Sequence, residues 1–123
     1  MTDWNDTDLE KIGAAEELDL RSEREDGTLR DPVTMWVVRV GDDVYVRSVK
    51  GTDGPWYRGT RSRRQGRIEA GGVRRNVTFR DADPGDHAKV DTAYRDKYGH
   101  YTSIVEHVLT DRARDSTIRL EPR

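Results

Sequence analysis

The most regular signal along the chain is alternation. Pro32-Val-Thr-Met-Trp-Val-Val-Arg-Val40 is dense in β-branched and aromatic residues and predicts one strand. Gly41-Asp42-Asp43 turns it into Val44–Val49, where Val44, Val46 and Ser48 share one face and Tyr45, Arg47 and Val49 the other. Leu18 and Leu20 alternate with Asp19 and Arg21 in a shorter strand, and Glu25-Asp26-Gly27 beyond it is a hairpin signal. Residues 67–70 and 73–80 flank Gly71-Gly72 as a further hairpin, with Val73, Arg75, Val77 and Phe79 on one face. An inward Arg75 needs a carboxylate, a carbonyl or a bound anion. Residues 117–121 form a last strand.

Helical spacing appears at the start and late in the chain. Thr7 with Glu10 three residues on is a capping-box pattern for a short helix limited by Gly13. Asp83-Pro84 opens a helix in which His87, Val90, Tyr94 and Tyr98 recur up to Gly99. A second helix carries Tyr101, Ile104, Val105, Val108 and Leu109 on one stripe. Lys50 to Pro55 reads as a loop feeding the aromatic pair Trp56-Tyr57. The pattern predicts an α+β fold of about six mostly antiparallel strands in a sheet or small barrel, with a short N-terminal helix and a C-terminal helix pair.

Composition narrows the class. The 123 residues suit a single domain, 1–123, with 1–16 as an acidic helical segment. Charged residues reach 37%, yet net charge is only -2, which points to a folded chain with a small Val-rich core rather than a disordered one. The absence of cysteine excludes disulfides, thiolate metal sites and a cysteine nucleophile. His87, His100 and His107 fit no metal-ligand spacing. No stretch approaches the roughly 20 apolar residues of a membrane span, and an acidic start is unlike a secretory signal, so a cytoplasmic protein is expected.

The charges are segregated. Residues 1–26 hold 10 acidic against 3 basic side chains, whereas residues 27–75 hold 11 basic against 5 acidic. Arg58, Arg61, Arg63, Arg64, Arg67, Arg74 and Arg75 face the single acid Glu69. Such a run is either an anion site or a surface paired to the acidic segment. Trp36 reads as core. Tyr94, Tyr98 and Tyr101 around His100 suit packing of a helix pair or proton donation to a substrate.

Val44-Tyr-Val-Arg-Ser-Val-Lys-Gly51 and Pro55-Trp-Tyr57 resemble the strand and loop of deazaflavin-dependent nitroreductases, members of the flavin-binding split-barrel superfamily with the pyridoxamine phosphate oxidases. Residues 17–123 also resemble a bacterial family, domain-of-unknown-function family 2255, through Asp26-Gly-Thr-Leu-Arg, Trp36-Val-Val-Arg-Val-Gly-Asp-Asp, Gly71-Gly-Val and Ala93-Tyr-Arg-Asp-Lys-Tyr-Gly99. Gly59-Thr60 stand where the nitroreductases have Asn-Leu, and Glu23, Glu25 and Asp26 occupy the region of their basic Ser-Gly-Lys loop, with Arg30 in place.

The resemblance implies a split barrel, a homodimer with its ligand slot between two copies, and FMN or a deazaflavin as cofactor with reductase function. It assigns Arg47, Ser48, Lys50 and Arg58 to the cofactor phosphate and Trp56 and Tyr57 to the flanks of the ring. Alternatives are a non-enzymatic dimeric interaction module, or a module in which the arginine run and the aromatic pair bind a small anionic ligand or nucleic acid.

Overall fold

The computed structural model describes residues 3–123. Its elements are α1 (Asp6–Ala14), β1 (Leu18–Ser22), β2 (Val33–Met35), β3 (Val38–Val40), β4 (Asp43–Val46), α2 (Pro55–Arg63), β5 (Gln65–Ala70), β6 (Val73–Asp81), α3 (His87–Tyr98), α4 (Thr102–Val105), α5 (Asp111–Arg114) and β7 (Ile118–Pro122). The strands form one antiparallel sheet in the order β2-β1-β5-β6-β7-β4-β3. Among the described residues no helix is long and apolar enough to cross a membrane.

The two edges of this sheet, β2 and β3, are consecutive in sequence and separated only by Trp36 and Val37. The sheet therefore curls until its edges meet in one short run of chain, which makes a barrel. The single strand expected over residues 32–40 is thus two strands, each paired to a different neighbour. Its break has a local cause. The Val37 N–H donates to Tyr98 Oη (3.1 Å), and the Val37 carbonyl accepts from Lys97 Nζ (2.7 Å). Both peptide groups are taken by the end of α3 and are lost to any sheet ladder. Tyr98 Oη also donates to the Glu16 carbonyl (2.6 Å), and the Trp36 ring stacks on Tyr98 at 4.0 Å.

Two cores follow from the curl. Leu18, Leu20, Val44, Val46, Ile68, Val77, Phe79, Ile118 and Leu120 fill the barrel, and Trp4, Leu9 and Ile12 close one end. Val38 and Tyr45 face outward onto Val90, Tyr94, Tyr98, Val105 and Val108 of the helical layer. The β3–β4 hairpin turns at Gly41-Asp42, and β5–β6 at Gly71-Gly72, whose φ values of 58° and 84° suit a twisted two-residue turn.

Three expectations shift. The first helix is capped by Asn5, whose side chain accepts from the Asp8 N–H (2.8 Å), rather than by Thr7. The expected C-terminal second helix is broken into α4, a 3-10 turn and α5. The aromatic pair lies on a helix, α2, that opens with Pro55 at its first turn.

Burial raises the Tyr98 hydroxyl to about 12 and lowers Lys97 to about 8, against the pull of Glu16 on the lysine. Tyr94 Oη, by contrast, is buried without a hydrogen-bond partner among the described residues. Tyr98→Phe is expected to lower unfolding free energy by about 1–3 kcal/mol, because it strands the Val37 N–H. Tyr94→Phe is expected to leave stability unchanged or raise it. Urea denaturation of both variants checks the contrast.

Candidate functional site

β2 and β4 are not paired, and the gap between β2 and the segment after β4 is a cleft. It is lined by Thr34, Met35 and Trp36 on one side and by Arg47, Val49, Trp56, Ile104 and Val108 on the other, with a volume of about 210 Å³. Its β2 wall carries an unpaired backbone edge. The Glu23 N–H donates to Gln65 and the Arg30 N–H to Ser22, so odd residues of β1 bond toward β5 and even ones toward β2. With Asp19 opposite Thr34 in the register, the N–H and C=O of Thr34 point away from β1, into the gap.

The floor is Arg47, whose side chain is wholly buried. Its Nη1 meets Asp91 Oδ1 at 2.5 Å and the Val108 carbonyl at 2.8 Å, Nε donates to Thr117 Oγ1 at 2.8 Å, and Nη2 donates to the His87 carbonyl at 3.1 Å. Asp91 is shared with Arg114 Nη2 at 2.8 Å. Burial pushes the Asp91 carboxyl upward, but hydrogen bonds from Arg114 and Arg47 outweigh it and hold it below the usual range. Four of the five N–H donors of Arg47, assigned by resemblance to a phosphate, are thus taken by protein acceptors, and the side chain ties the end of β4 to α3.

The other assigned residues lie in or beside the first turns of α2. Ser48 is 1% exposed, and its backbone is engaged by Ser116: the Ser48 N–H donates to Ser116 Oγ (2.8 Å), which in turn donates to the Ser48 carbonyl (3.2 Å). The Ser48 hydroxyl makes no hydrogen bond among the described residues and lies against Gly54, where a Cβ would meet it at 2.4 Å. Gly54 is the N-cap of α2 and supplies no side-chain cap. The first helical bond runs from the Arg58 N–H to the Gly54 carbonyl, and Pro55 has no N–H, so the N–H groups of Trp56 and Tyr57 stay open. Lys50 and Arg58 are exposed beside this helix end, and neither has an ion-pair partner among the described residues.

The aromatic pair divides. Trp56 is half-buried and lines the cleft. Tyr57 points into the barrel core, with its hydroxyl accepting from Arg61 (3.1 Å), and does not line the cleft. The cleft residues Thr34, Met35, Val49, Ile104 and Val108 carry no chemical signature in the sequence, and Trp36, read there as core, is one of its walls.

Most of the arginine run is ion-paired. Arg61 and Arg64 reach Asp81, Arg63 reaches Glu23, Arg74 reaches Glu69, and Arg75 reaches Asp8 at 2.9 Å while lying over the Trp4 ring. Arg30 donates to the carbonyls of Glu23 (2.6 Å) and Gly59 (3.2 Å), which fastens the β1–β2 connection to α2. Among the described residues there is no group of three or more His, Asp or Glu able to hold a metal ion.

A family model described as an uncharacterized protein conserved in bacteria, DUF2255, matches residues 8–120. The chain belongs to that family. No curated protein matches the sequence. Among solved structures, the F420-H2 dependent reductase FDR-A is 16% identical, with a TM-score of 0.64 over 86% of this chain and 93% of its own. A FAD-binding protein from Mesorhizobium loti is 11% identical, with a TM-score of 0.59 over 97% and 88%. A FAD and heme binding protein from Mycobacterium smegmatis is 14% identical, with a TM-score of 0.57 over 98% and 66%. The DUF2255 chain thus has the split-barrel fold found among flavin-binding proteins.

The lowered Asp91 acidity ties stability to pH. A carboxyl whose folded value lies below its ordinary 3.8 stabilises the fold fully above that value and loses the contribution as pH falls through the folded value. Asp91→Asn is expected to cost about 3–5 kcal/mol at neutral pH and to flatten the acid limb of stability below about pH 4. Denaturant titrations from pH 7 to pH 3 read both effects.

Proposed function

We propose that this chain binds a phosphate-bearing cofactor of the flavin type, FMN or a deazaflavin, in the cleft at the barrel split, and acts as a reductase in a homodimer. The observation that carries the reading is the convergence there of two indoles, an unpaired strand edge and an uncapped helix end. The two rings of Trp36 and Trp56 provide apolar flanks for a flat heterocycle. The N–H and C=O of Thr34 match the alternating donors and acceptors on the pyrimidine edge of such a ring. Beside the indole of Trp56, the open N–H groups of α2, the Ser48 hydroxyl, and the charges of Lys50 and Arg58 form a seat for an anion.

The bound group would supply the electron and hydride chemistry, and the chain would bind and orient it. The fold shared with FAD-binding and F420-H2 dependent proteins supports the same cofactor class. A second copy is supported by size and surface. The cleft of about 210 Å³ lies below the roughly 300–1,000 Å³ of ligand pockets, so a further wall is needed. Among the described residues the exposed large hydrophobics are Val33, Val49 and Ile104; two line the cleft and the third lies on β2, so all three stand where that wall would dock. A nucleic-acid surface gains no such support, because most of the arginine run is already matched by carboxylates.

The purified chain is expected to melt several degrees higher when FMN or a deazaflavin is present about a hundredfold above its Kd. Trp56→Ala is expected to abolish that rise while its far-ultraviolet circular dichroism stays native. Absence of a thermal shift with both cofactors overturns the reading.

A further inference from the structure

One member of the arginine run lies away from the cleft and has no carboxylate partner among the described residues. Arg67 sits on β5 with its side chain on the outer face of the barrel, since its neighbours Gly66 and Ile68 are buried on the inner face. Arg21 stands directly opposite it on β1, between the buried Leu20 and Ser22, and it too lacks an ion pair. Two like charges facing each other across an antiparallel pair repel. Both side chains are half-buried, where water screens the repulsion less.

The next pair along the same two strands shows how such a clash is relieved. Asp19 opposes Glu69, but Asp19 accepts from the Thr34 hydroxyl (2.6 Å) and Glu69 is ion-paired with Arg74 (3.0 Å). No such relief reaches the arginines. Arg21 Nε donates to the Arg30 carbonyl (2.8 Å), and Arg67 Nε donates to Asn76 Oδ1 (3.1 Å). These bonds to neutral acceptors fix the plane of each guanidinium, and the terminal Nη groups of both forks have no hydrogen-bond partner among the described residues.

Arg21 and Arg67 line one cavity of about 250 Å³ with Asp19, Glu69, Arg74 and Pro32. Three cations against two carboxylates leave the cavity with one positive charge in excess, which a singly charged anion neutralises. The volume is below the roughly 300 Å³ of ordinary ligand pockets, so the guest has few heavy atoms. A carboxylate between the forks accepts in-plane N–H bonds from each. Pro32 adds an apolar wall that a short hydrocarbon body can cover and an inorganic ion cannot.

We propose that Arg21 and Arg67 form a binding site for a small organic monocarboxylate on the outer face of the barrel. The guest supplies the counter-charge that the fold withholds. The site shares no lining residue with the cleft and does not depend on the cofactor reading.

Amide and arginine Nε–H NMR spectra of the full chain, titrated with sodium propionate and separately with sodium chloride at equal ionic strength, test the proposal. Propionate is expected to shift the signals of Arg21, Arg67 and their strand neighbours with a Kd of about 1–10 mM, and chloride to leave them in place. Arg67→Gln is expected to weaken propionate about tenfold or more. Its ligand-free melting temperature is expected to stay level or rise, because the opposed charge is gone, whereas a merely structural Arg67 would lower it. Arg95→Gln, which removes an exposed positive charge from α3, is expected to leave the affinity unchanged. Equal shifts with chloride, shifts confined to other surfaces, or unchanged affinity in Arg67→Gln overturn the site. Tighter binding of inorganic phosphate than of propionate overturns the choice of a carboxylate. No flavin is present in these titrations, so their failure leaves the cofactor reading standing.

Discussion

The backbone of one residue, Val37, organises this molecule. The amide between Trp36 and Val37 gives its N–H to Tyr98, and the carbonyl of Val37 receives Lys97, so the end of α3 removes both from sheet pairing. The strand has to break there. Its first half stays on β1, its second half goes to β4, and the sheet closes through a single link. The same contact stacks Trp36 on Tyr98, and Trp36 lines the cleft beside the break. Barrel closure and cleft formation are one event, decided by where α3 ends.

Electrostatics follow a similar economy. The acidic first quarter and the arginine-rich middle of the chain meet in space: Asp8 with Arg75, and Glu23 with Arg63. Surface pairs of this sort are individually weak, about 0–1 kcal/mol each, so their main effect is to remove cations from circulation. The buried Arg47-Asp91-Arg114 group is different, because an unpartnered charge there is costly, and it anchors the cleft floor. What remains uncommitted near the cleft is a local charge at the start of α2.

Much of the scaffold could be read from residue patterns. The hairpins at Gly41-Asp42 and Gly71-Gly72 and the face of Val73, Val77 and Phe79 follow from a period of two and from turn chemistry. The inward Arg75 found the carboxylate its position demanded. Helix α2 was hidden because Gly51, Gly54 and Pro55 read as loop, and because its arginines mask the burial of Tyr57 and Thr60. The candidate site was half legible. Ser48 and Lys50 lie against Gly54 at the start of α2, which carries Trp56 and Arg58, whereas Tyr57 faces the core and Arg47 meets Asp91, a partner 44 residues away.

The sequence by itself determined most of the strands and the first and third helices, the α+β class, the segregation of charge and the family, since these depend on neighbours a few residues apart or on a pattern shared along nearly the whole chain. Tertiary structure alone decided that residues 33–40 serve both edges of one sheet, that Trp36 lines the cleft as well as packing on the second core, and which arginines lack a carboxylate partner. Those outcomes depend on groups distant in sequence competing for the same few donors and acceptors, and local pattern carries no record of which competitor wins.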